Sequence, residues 1–382
     1  MTATGTRIVR IVATEVVVPA HPGAIESASI SRPLHKLPVD GAKGWRFQFD
    51  ELPKVLLQFE LANGTVGLGE LYRGHRWATV DSIAGVLVGA DVTTICRQDL
   101  PFARSREYDG FEIAVWDAYA RHLGVRVVDL LGGPVRDAVW VSSWTGHRTD
   151  EEVGEVARSY HQLGFDCLKF KCDREDDIVG WARSVAREAP GMRVIFDPNE
   201  RLDTAATVRS LLAPLSEVGN VLCLEDPLPQ WMQADWADLR AASTIPIVQH
   251  VSLPYQSVGT RISDAVVAIQ HRSVDGFNFN CGLADFQRLE HLAGIAGLPC
   301  WHGSEIDLGV LEAAYLHSCA AAGSCTWPSD IFSRHIRSHD LLTEPLDLSP
   351  PFARLPTGVG LGVELDAGAL EAHRRDRREY TL

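Results

Sequence analysis

Three possible metal ligands each end a short apolar run, and these runs recur at nearly regular intervals along the chain. Asp197 follows Arg-Val-Ile-Phe, Glu225 follows Val-Leu-Cys-Leu, and His250 follows Pro-Ile-Val-Gln. The gaps of 28 and 25 residues each leave room for one strand, one helix and two loops. The carboxyl ends of the strands in a parallel barrel meet at one mouth. The spacing therefore predicts that these side chains converge on a divalent metal ion.

The same alternation of apolar strand and amphipathic helix extends over residues 136–335. Helical patterns separate most of the strand candidates, for example at 151–162, 204–215 and 285–296. About eight such units predict an α/β fold with a parallel (β/α)-barrel, because a doubly wound sheet rarely runs so long. The strand candidates centre on Trp140, Leu168, Ile195, Cys223, Val248, Phe277, Cys300 and Thr326.

Residues 1–135 have a different pattern, which is typical of an α+β domain. A β-rich opening and a hairpin at 54–70 precede a helical pattern at 110–119. Leu-Leu-Gly-Gly-Pro at 130–134 ends this pattern and marks the predicted domain boundary. Residues 336–382 return to hairpin-like chemistry, so we expect this C-terminal segment to pack on the N-terminal domain.

The composition argues against several classes of partner. A net charge of −14 disfavours nucleic acid, whose phosphates are neutralised by Lys and Arg. No apolar stretch has the length of a membrane span, and the N-terminus lacks the apolar region of a signal peptide. We therefore expect a cytoplasmic protein in which cysteines such as Cys167, Cys223, Cys300 and Cys319 are buried free thiols.

Two lysines on the second predicted strand suggest a reaction for this site. Lys169 and Lys171 are two residues apart and therefore point to the same face. A dication and a second ammonium nearby favour the neutral amine of a lysine, which can then act as a base. The same metal stabilises an oxyanion that develops on a carboxylate. Such a site can remove a proton from the carbon alpha to a carboxylate and form an ene-diolate. The remaining strand ends supply Trp144, His147, Asn199, Asn280, His302 and Glu305.

Short motifs in a fixed order cover essentially the whole chain. They are Gly67-Leu68-Gly69-Glu70, Ala114-Val115-Trp116-Asp117, Leu130-Leu131-Gly132-Gly133, Lys169-x-Lys171, Asp197-x-Asn199, Leu224-Glu225-Asp226-Pro227 and Gly-Leu-Gly-Val-Glu at 360–364. In this order they resemble the mandelate racemase, muconate lactonizing and glucarate dehydratase branches of the enolase superfamily. The resemblance implies a modified TIM barrel, with an N-terminal α+β capping domain that the C-terminal segment completes. It also implies a homo-oligomer that acts on a small-molecule carboxylate.

The resemblance also implies roles for individual residues. Lys171 is expected to be the general base, while Lys169 tunes it and contacts the substrate carboxylate. Asp197 and Glu225 are expected to bind Mg²⁺, with Asn199 near both the metal and the substrate. Trp144, His147, Asn280 and Glu305 are further candidates for contact with the substrate.

The chain departs from the family pattern at three positions. His250 stands where an Asp or Glu usually provides the third metal ligand, and imidazole leaves Mn²⁺ or another divalent ion open. Asn280 replaces either the second lysine of muconate-type members or the aspartate of racemase-type members. His302 matches the histidine of the seventh strand but lacks its orienting aspartate, so it is expected to donate a proton better than it accepts one.

These departures favour dehydration of an acid sugar. A racemase needs a base on each face of the carbon, whereas dehydration needs one base and one acid, here Lys171 and His302. Cycloisomerisation or epimerisation of another carboxylate is the first alternative. A superfamily member that has lost catalysis and only binds a ligand is the second alternative.

Two other expectations concern different parts of the molecule. A metal-dependent hydrolase is disfavoured, because the first predicted strand lacks the His-x-His of that class. The resemblance to the enolase superfamily also implies that loops of the N-terminal domain set substrate specificity, here 21–33 and 35–50, where Arg32, His35 and Lys36 could meet an anion.

Overall fold

An antiparallel sheet of four strands forms the core of the capping domain in the computed structural model, which describes residues 5–30, 32, 52–251 and 258–382. Apolar residues alternate along its strands and pack on the helices that follow. Phe59 of the sheet and Phe111 of a helix are fully buried in this contact. The first elements are β1 (Ile8–Val16), β2 (Lys54–Leu61), β3 (Val66–Leu71), α1 (Trp77–Leu87), α2 (Tyr108–Leu123) and α3 (Val127–Leu130).

Seven parallel strands form the wall of the barrel, and each pairs with the next one along the chain. Parallel pairing requires a crossover between neighbouring strands, and a helix follows each strand of this sheet. The strands are β5 (Ser143–Thr145), β6 (Cys167–Lys171), β7 (Arg193–Asp197), β8 (Val221–Glu225), β9 (Ile247–Val251), β10 (Gly276–Phe279) and β11 (Cys300–His302), preceded by β4 (Ala138–Trp140). The helices are α4 (Asp150–Gln162), α5 (Ile178–Glu188), α6 (Ala205–Val218), α7 (Gln233–Ala242), α8 (Arg261–His271), α9 (Leu283–Ile295) and α10 (Gly309–Ala321).

The first and eighth predicted strands require correction. The run around Trp140 divides into β4, which lies outside the barrel sheet, and β5, which begins the barrel. No strand centres on Thr326 in the described chain, where single parallel bridges join Cys300 to Cys325 and Val141 to Ser329. Pro328 interrupts this region, and because proline has no backbone N–H it cannot support a regular ladder. Residues 325–330, which we call the closing segment, therefore fill the eighth position of the barrel.

The C-terminal segment returns to the capping domain, as predicted. Its last strand pairs antiparallel with β1, with Tyr380 opposite Ile11. Before that strand, the Leu361 N–H donates to Asp117 Oδ1 on α2 at 2.6 Å. The elements of this segment are β12 (Leu348–Ser349), β13 (Phe352–Arg354), α11 (Ala367–His373) and β14 (Arg374–Thr381).

A small apolar layer inside the barrel determines which residues face its mouth. Cys167, Ile195, Cys223, Val248 and Trp301 are buried together in this layer. Side chains alternate along a strand, so residues two positions beyond them lie on the same inner face. The interior layer therefore directs Lys169, Asp197, Glu225 and His250 towards the mouth of the barrel.

A buried ion cluster joins the capping domain to the barrel. Lys54 Nζ on β2 lies 2.9 Å from Glu70 Oε1 on β3 and 2.5 Å from Asp307 Oδ1. Glu70 also accepts the N–H groups of Leu308 and Leu311 at the start of α10, at 2.7 and 3.0 Å. The positive end of the helix dipole and Lys54 together compensate the two buried carboxylates.

A second carboxyl group of the capping domain caps a barrel helix. Glu112 on α2 is buried, and its Oε1 accepts the Ala284 N–H of α9 at 2.8 Å. Burial, and next the neighbouring Asp109, raises the pKa of Glu112 to about 8. Asp285 adds to this increase in pKa, whereas Arg104 opposes it. The carboxyl group is therefore protonated in the folded protein at neutral pH.

Glu112→Gln is expected to weaken the pH dependence of stability. The folded protein retains this proton up to about pH 8, whereas the ordinary pKa of a glutamate is 4.5. The wild-type free energy of unfolding should therefore fall as pH rises through this window, and this contribution is absent in the glutamine variant. Urea denaturation at several pH values measures the difference. A stability difference that stays constant with pH would contradict the assignment, and Glu155→Gln on the exposed face of α4 is the matched control.

The cysteines and the helix lengths complete the description of the fold. All eight cysteines are free, and Cys167, Cys223, Cys300 and Cys319 are buried as predicted, whereas Cys96 is exposed. None of the helices in the described ranges is both long enough and apolar enough to cross a membrane.

Candidate active site

The two lysines of β6 lie together at the mouth, but each has its own partners. Lys169 Nζ lies 2.7 Å from Glu225 Oε2 and 4.0 Å from Asp197 Oδ2. Lys171 Nζ pairs with Asp197 Oδ2 and donates to Asn199 Oδ1 at 2.8 Å. The structure thus brings these five sequence-predicted residues into one connected network.

The electrostatics of this network distinguish Lys169. It is 2% exposed, whereas Lys171 is 9% exposed. Although burial opposes its charge, Asp330 and then Glu225 raise the pKa of Lys169. Burial also disfavours the charged form of Glu225, but Lys169 and then His250 hold its pKa well below the usual range. Lys169 and Glu225 are therefore a stable buried ion pair.

The predicted third metal ligand adjoins Glu225. His250 Nδ1 lies 3.2 Å from Glu225 Oε1, and Asn278 Nδ2 donates to the same oxygen at 2.7 Å. Neither ring nitrogen of His250 makes a hydrogen bond within the described part of the chain, although the residue is 7% exposed. Two buried carboxylates and an imidazole are a donor set that suits a divalent cation in chemical type, although their ligand atoms do not all lie within 4.8 Å of one another.

A second group of possible metal ligands is more compact than Asp197, Glu225 and His250. In the described ranges, the three possible ligands whose atoms all lie within 4.8 Å of one another are His147, Asp173 and Asp176. Arg32 Nη1 lies 2.8 Å from Asp176 Oδ1 and 3.1 Å from Asp173 Oδ2, and Arg201 binds Asp173 Oδ1 at 2.8 Å. These guanidinium groups already neutralise both carboxylates, so the cluster has the character of an ion-pair network.

Two residues that were predicted to meet the substrate, His147 and Arg32, belong to this ion-pair network. His147 is 1% exposed, with Nε2 at 3.2 Å from Asp173 Oδ2. Arg32 is committed to the two carboxylates of the network, and His35 and Lys36 lie outside the described residues. Asp173 follows Lys171 by two positions, so this ion-pair network lies directly beyond the end of β6.

His302 is not at the site, contrary to the prediction. Its ring lies between Phe286 of α9 and Tyr315 of α10, with centroids at 4.6 and 3.9 Å. Nδ1 contacts the Gly303 carbonyl oxygen at 2.7 Å, and burial lowers the pKa of His302 to about 4. Trp301 occupies the inner face of β11 instead, where its ring lies 5.6 Å from Lys169 Nζ. A neutral imidazole packed between outer helices cannot serve as the acid.

Glu305 and Trp144 are also engaged with other parts of the protein. Arg73 Nε lies 3.7 Å from Glu305 Oε2, and Arg106 binds the same carboxylate oxygen. Because both arginines belong to the capping domain, Glu305 connects that domain to the barrel. Trp144 neighbours Lys169 in the β-sheet register and stacks on Phe332 with centroids 6.3 Å apart.

The sixth strand end carries amides in place of charged groups. Asn278 pairs with His250 in the register, and Asn280 follows two positions later. Both are at most 2% exposed, and neither side-chain oxygen has a hydrogen-bond partner in the described ranges. The inner face of β10 is therefore polar and neutral.

Two residues around the network were missed by the sequence assignment. Asp330 Oδ2 in the closing segment lies 2.8 Å from Lys169 Nζ. Asp226, with φ of 44°, accepts the His250 N–H at 3.0 Å, and burial raises its pKa well above the usual range. Asp226 was visible in its motif beside Glu225. An acidic residue just beyond the strand candidate at Thr326 was the only sequence signal for Asp330.

Comparisons with known proteins agree over most of the chain. A family model described as Enolase C-terminal domain-like matches residues 152–369. The chain is 28% identical to muconate cycloisomerase 1 of Rhodococcus opacus over 356 residues, which cover 85% of this chain and 91% of that protein. It is 26% identical to a probable glucarate dehydratase of Streptomyces coelicolor over 380 residues, which cover 85% of each.

Solved structures show the same fold at lower identity. N-succinyl Arg/Lys racemase from Bacillus cereus superposes with a TM-score of 0.82 at 18% identity, covering 98% of this chain and 100% of that chain. The 2-chloromuconate cycloisomerase from Rhodococcus opacus gives a TM-score of 0.79 at 23% identity, covering 97% and 99%. At these identities the likeness establishes the fold alone.

Proposed function

Because the chain belongs to the Enolase C-terminal domain-like family, as the resemblance implied, we propose that it is a single-base lyase or isomerase acting on a small carboxylate. The observation that carries this proposal is the asymmetry of the mouth. Lys171 lies on one side, while Asn278 and Trp301 occupy the inner faces of the sixth and seventh barrel strands. Removal of an α-proton from one face is therefore the chemistry that this site supports best.

Lys171 would act as base and then as acid. As the neutral amine, its Nζ takes the α-proton, and the C–H electron pair enters an ene-diolate. Asp197 and Asn199, which already contact Nζ, stabilise the ammonium that forms. When the electron pair expels an oxygen from the β-carbon, the ammonium returns its proton to that oxygen on the same face. No second base is needed, because the proton taken from the α-carbon leaves with the expelled oxygen.

Asp197, Glu225 and His250 would hold the divalent cation of this proposal. When bound, the cation supplies Lewis-acid stabilisation of the negative charge on the substrate carboxylate. Lys169 presents a second positive charge beside Glu225, and its raised pKa keeps it cationic at neutral pH. Lys169 would therefore bind and orient the substrate carboxylate, whereas Lys171 would be the base.

Dehydration of a hydroxy carboxylate of the acid-sugar type is our preferred reaction. Asn280, the residue directly after β10, has a buried amide oxygen that can accept a hydrogen bond from a substrate hydroxyl. Cycloisomerisation is the second candidate, favoured by the same single-face arrangement and by relatives that are themselves cycloisomerases. Epimerisation would require a second base. His302 has no part in this mechanism, because its ring packs between α9 and α10.

Product analysis in D₂O distinguishes these reactions. Mono- and diacid sugars and unsaturated dicarboxylates would be incubated with enzyme and Mg²⁺ or Mn²⁺, then analysed by mass spectrometry and NMR. Loss of one water supports dehydration, whereas an isomeric lactone supports cycloisomerisation. Deuterium at the α-carbon of recovered substrate with inverted configuration would contradict the single-base proposal. Loss of every activity in Lys171→Met but not in Asp109→Asn, a buried substitution at the Arg261 ion pair, ties the reaction to the base.

His250→Asp is expected to shift the metal preference towards Mg²⁺. Replacing imidazole by a carboxylate adds a hard anionic oxygen, which Mg²⁺ prefers, and removes a softer nitrogen. We expect Mg²⁺ to bind about tenfold more tightly, or about 1.4 kcal/mol, with a smaller change for Co²⁺. Calorimetric titration of the metal-free protein measures both affinities. Unchanged affinities for both ions would show that His250 is not a ligand.

A further inference from the structure

The closing segment carries a buried carboxylate that reaches the lysine pair. Asp330 is 4% exposed, and its N–H donates to the His302 carbonyl oxygen at 2.8 Å. Its Oδ2 lies 2.8 Å from Lys169 Nζ, and its Oδ1 accepts the Ser142 hydroxyl at 3.3 Å. Asp330 thus contacts β11, the start of the barrel wall and the second barrel strand at once.

These contacts matter because the closing segment has no strand ladder of its own. Isolated bridges, such as that between Val141 and Ser329, and single hydrogen bonds, such as that from the Asp330 N–H to His302, hold it in the eighth position of the barrel. The ion pair with Lys169 adds a connection directly at the mouth. Movement of this segment would consequently move the ammonium of Lys169.

The position of Lys169 is sensitive to the balance of its neighbours. Its ammonium lies 2.7 Å from Glu225 and 4.0 Å from Asp197, and its long side chain has several rotatable bonds. Without the charge of Asp330, the nearest remaining anions are Glu225 and Asp197. The ammonium would then have no anion on the side of the closing segment to oppose the pull of Glu225 and Asp197, and Asp197 is the partner of Lys171.

We propose that Asp330 is a positioning residue that holds the Lys169 ammonium away from Asp197 and Lys171. It acts through Lys169 and does not touch the reacting carbon. In this way the closing segment keeps one lysine as a fixed cation and leaves the other with Asp197 and Asn199. The inference rests on the proposed function where it concerns turnover, but the contact itself can be tested without it.

A double-mutant cycle of Asp330→Asn and Lys169→Met tests this proposal in two ways. In turnover, Asp330→Asn should lower kcat about 10- to 100-fold, the range found when a group supporting an active-site ligand is removed. The same change in the Lys169→Met background should have no further effect, because the residue through which it acts is gone. Asp330 variants that lose kcat to the same extent in both backgrounds would overturn the positioning role.

The second readout is the free energy of unfolding of the metal-free protein, which needs no substrate. A non-additive effect of the two changes supports the contact, and an additive effect overturns it. If the wild-type protein shows no turnover, the proposed function is wrong, but the stability cycle still tests the contact between Asp330 and Lys169. Asp330→Glu, which keeps the charge, replaces the asparagine variant if the latter does not fold. It should retain the coupling with Lys169, and loss of that coupling would also overturn the proposal.

Asp109→Asn is the matched control for this experiment. Asp109 is also a buried aspartate in an ion pair, with Arg261 Nη2 at 2.7 Å, but it lies between α2 and α8. The control should lower stability and leave kcat per folded molecule unchanged. A fall in kcat equal to that of Asp330→Asn would show that any buried ion pair has this effect, and would overturn a specific role for Asp330.

Discussion

Replacing Lys171 with methionine is expected to lower kcat for α-proton removal by about 10²- to 10⁴-fold, the usual contribution of a general base. Methionine approximates the length of the lysine side chain but has no nitrogen to take the proton. Asp197 and Asn199 surround the lost amine, and neither offers an equivalent base. Deuterium exchange at the α-carbon measures this step separately from product release.

The comparison with Lys169→Met makes this prediction specific. Lys169 is the buried partner of Glu225, so its loss should raise KM through weaker carboxylate binding, in addition to any effect on kcat. The metal-free Lys171→Met protein should keep a wild-type circular dichroism spectrum. Retention of more than about one tenth of the wild-type exchange rate, which corresponds to less than about 1.4 kcal/mol, would exclude Lys171 as the base.

Replacing Lys54 with methionine should destabilise the protein by about 3–5 kcal/mol, the cost of leaving a buried ion cluster without one partner. Glu70 and Asp307 are fully buried and have Lys54 between them. The variant leaves two neighbouring carboxylates in the interface between the capping domain and the barrel. Urea denaturation at constant pH measures the loss of stability.

Two controls separate the buried charge from the lost side-chain contacts. Arg10→Met removes a cation from the partly exposed Arg10–Glu60 pair of the same sheet, and should change the free energy of unfolding far less. Adding Asp307→Asn to Lys54→Met should recover part of the stability, because one uncompensated charge is removed. A double variant as unstable as Lys54→Met would indicate that packing, and not charge, determines the loss.

The regular parts of the site could be predicted from local patterns. Lys169 and Lys171 share a face because side chains alternate along any strand, whatever surrounds it. Asp197 and Glu225 could be placed in the same way, since each ends an apolar run of a barrel strand. The return of residues 374–381 to the capping domain was expected only in outline, because an exposed, charged strand has little apolar pattern.

The errors arose where the strands are short or interrupted. In the three-residue β11, Trp301 and His302 are adjacent, so an error of one position exchanges the inner face for the outer face. The pairing of Trp301 with Asn278 determines which of them faces inward. Pro328 similarly prevented a strand from forming near Thr326, and this obscured the place of Asp330 at the mouth.

The amino-acid sequence alone was enough to predict the repeating βα pattern, the ends of most strands and the chemical types of the residues placed there. These properties depend on alternation and local spacing, which need no knowledge of distant neighbours. Which distant charges meet depends on the three-dimensional fold: Asp330 with Lys169, Glu305 with Arg73 and Arg106, and Lys54 with Asp307. These partners are far apart in the chain, and their pairing depends on how the barrel closes and how the capping domain packs on it.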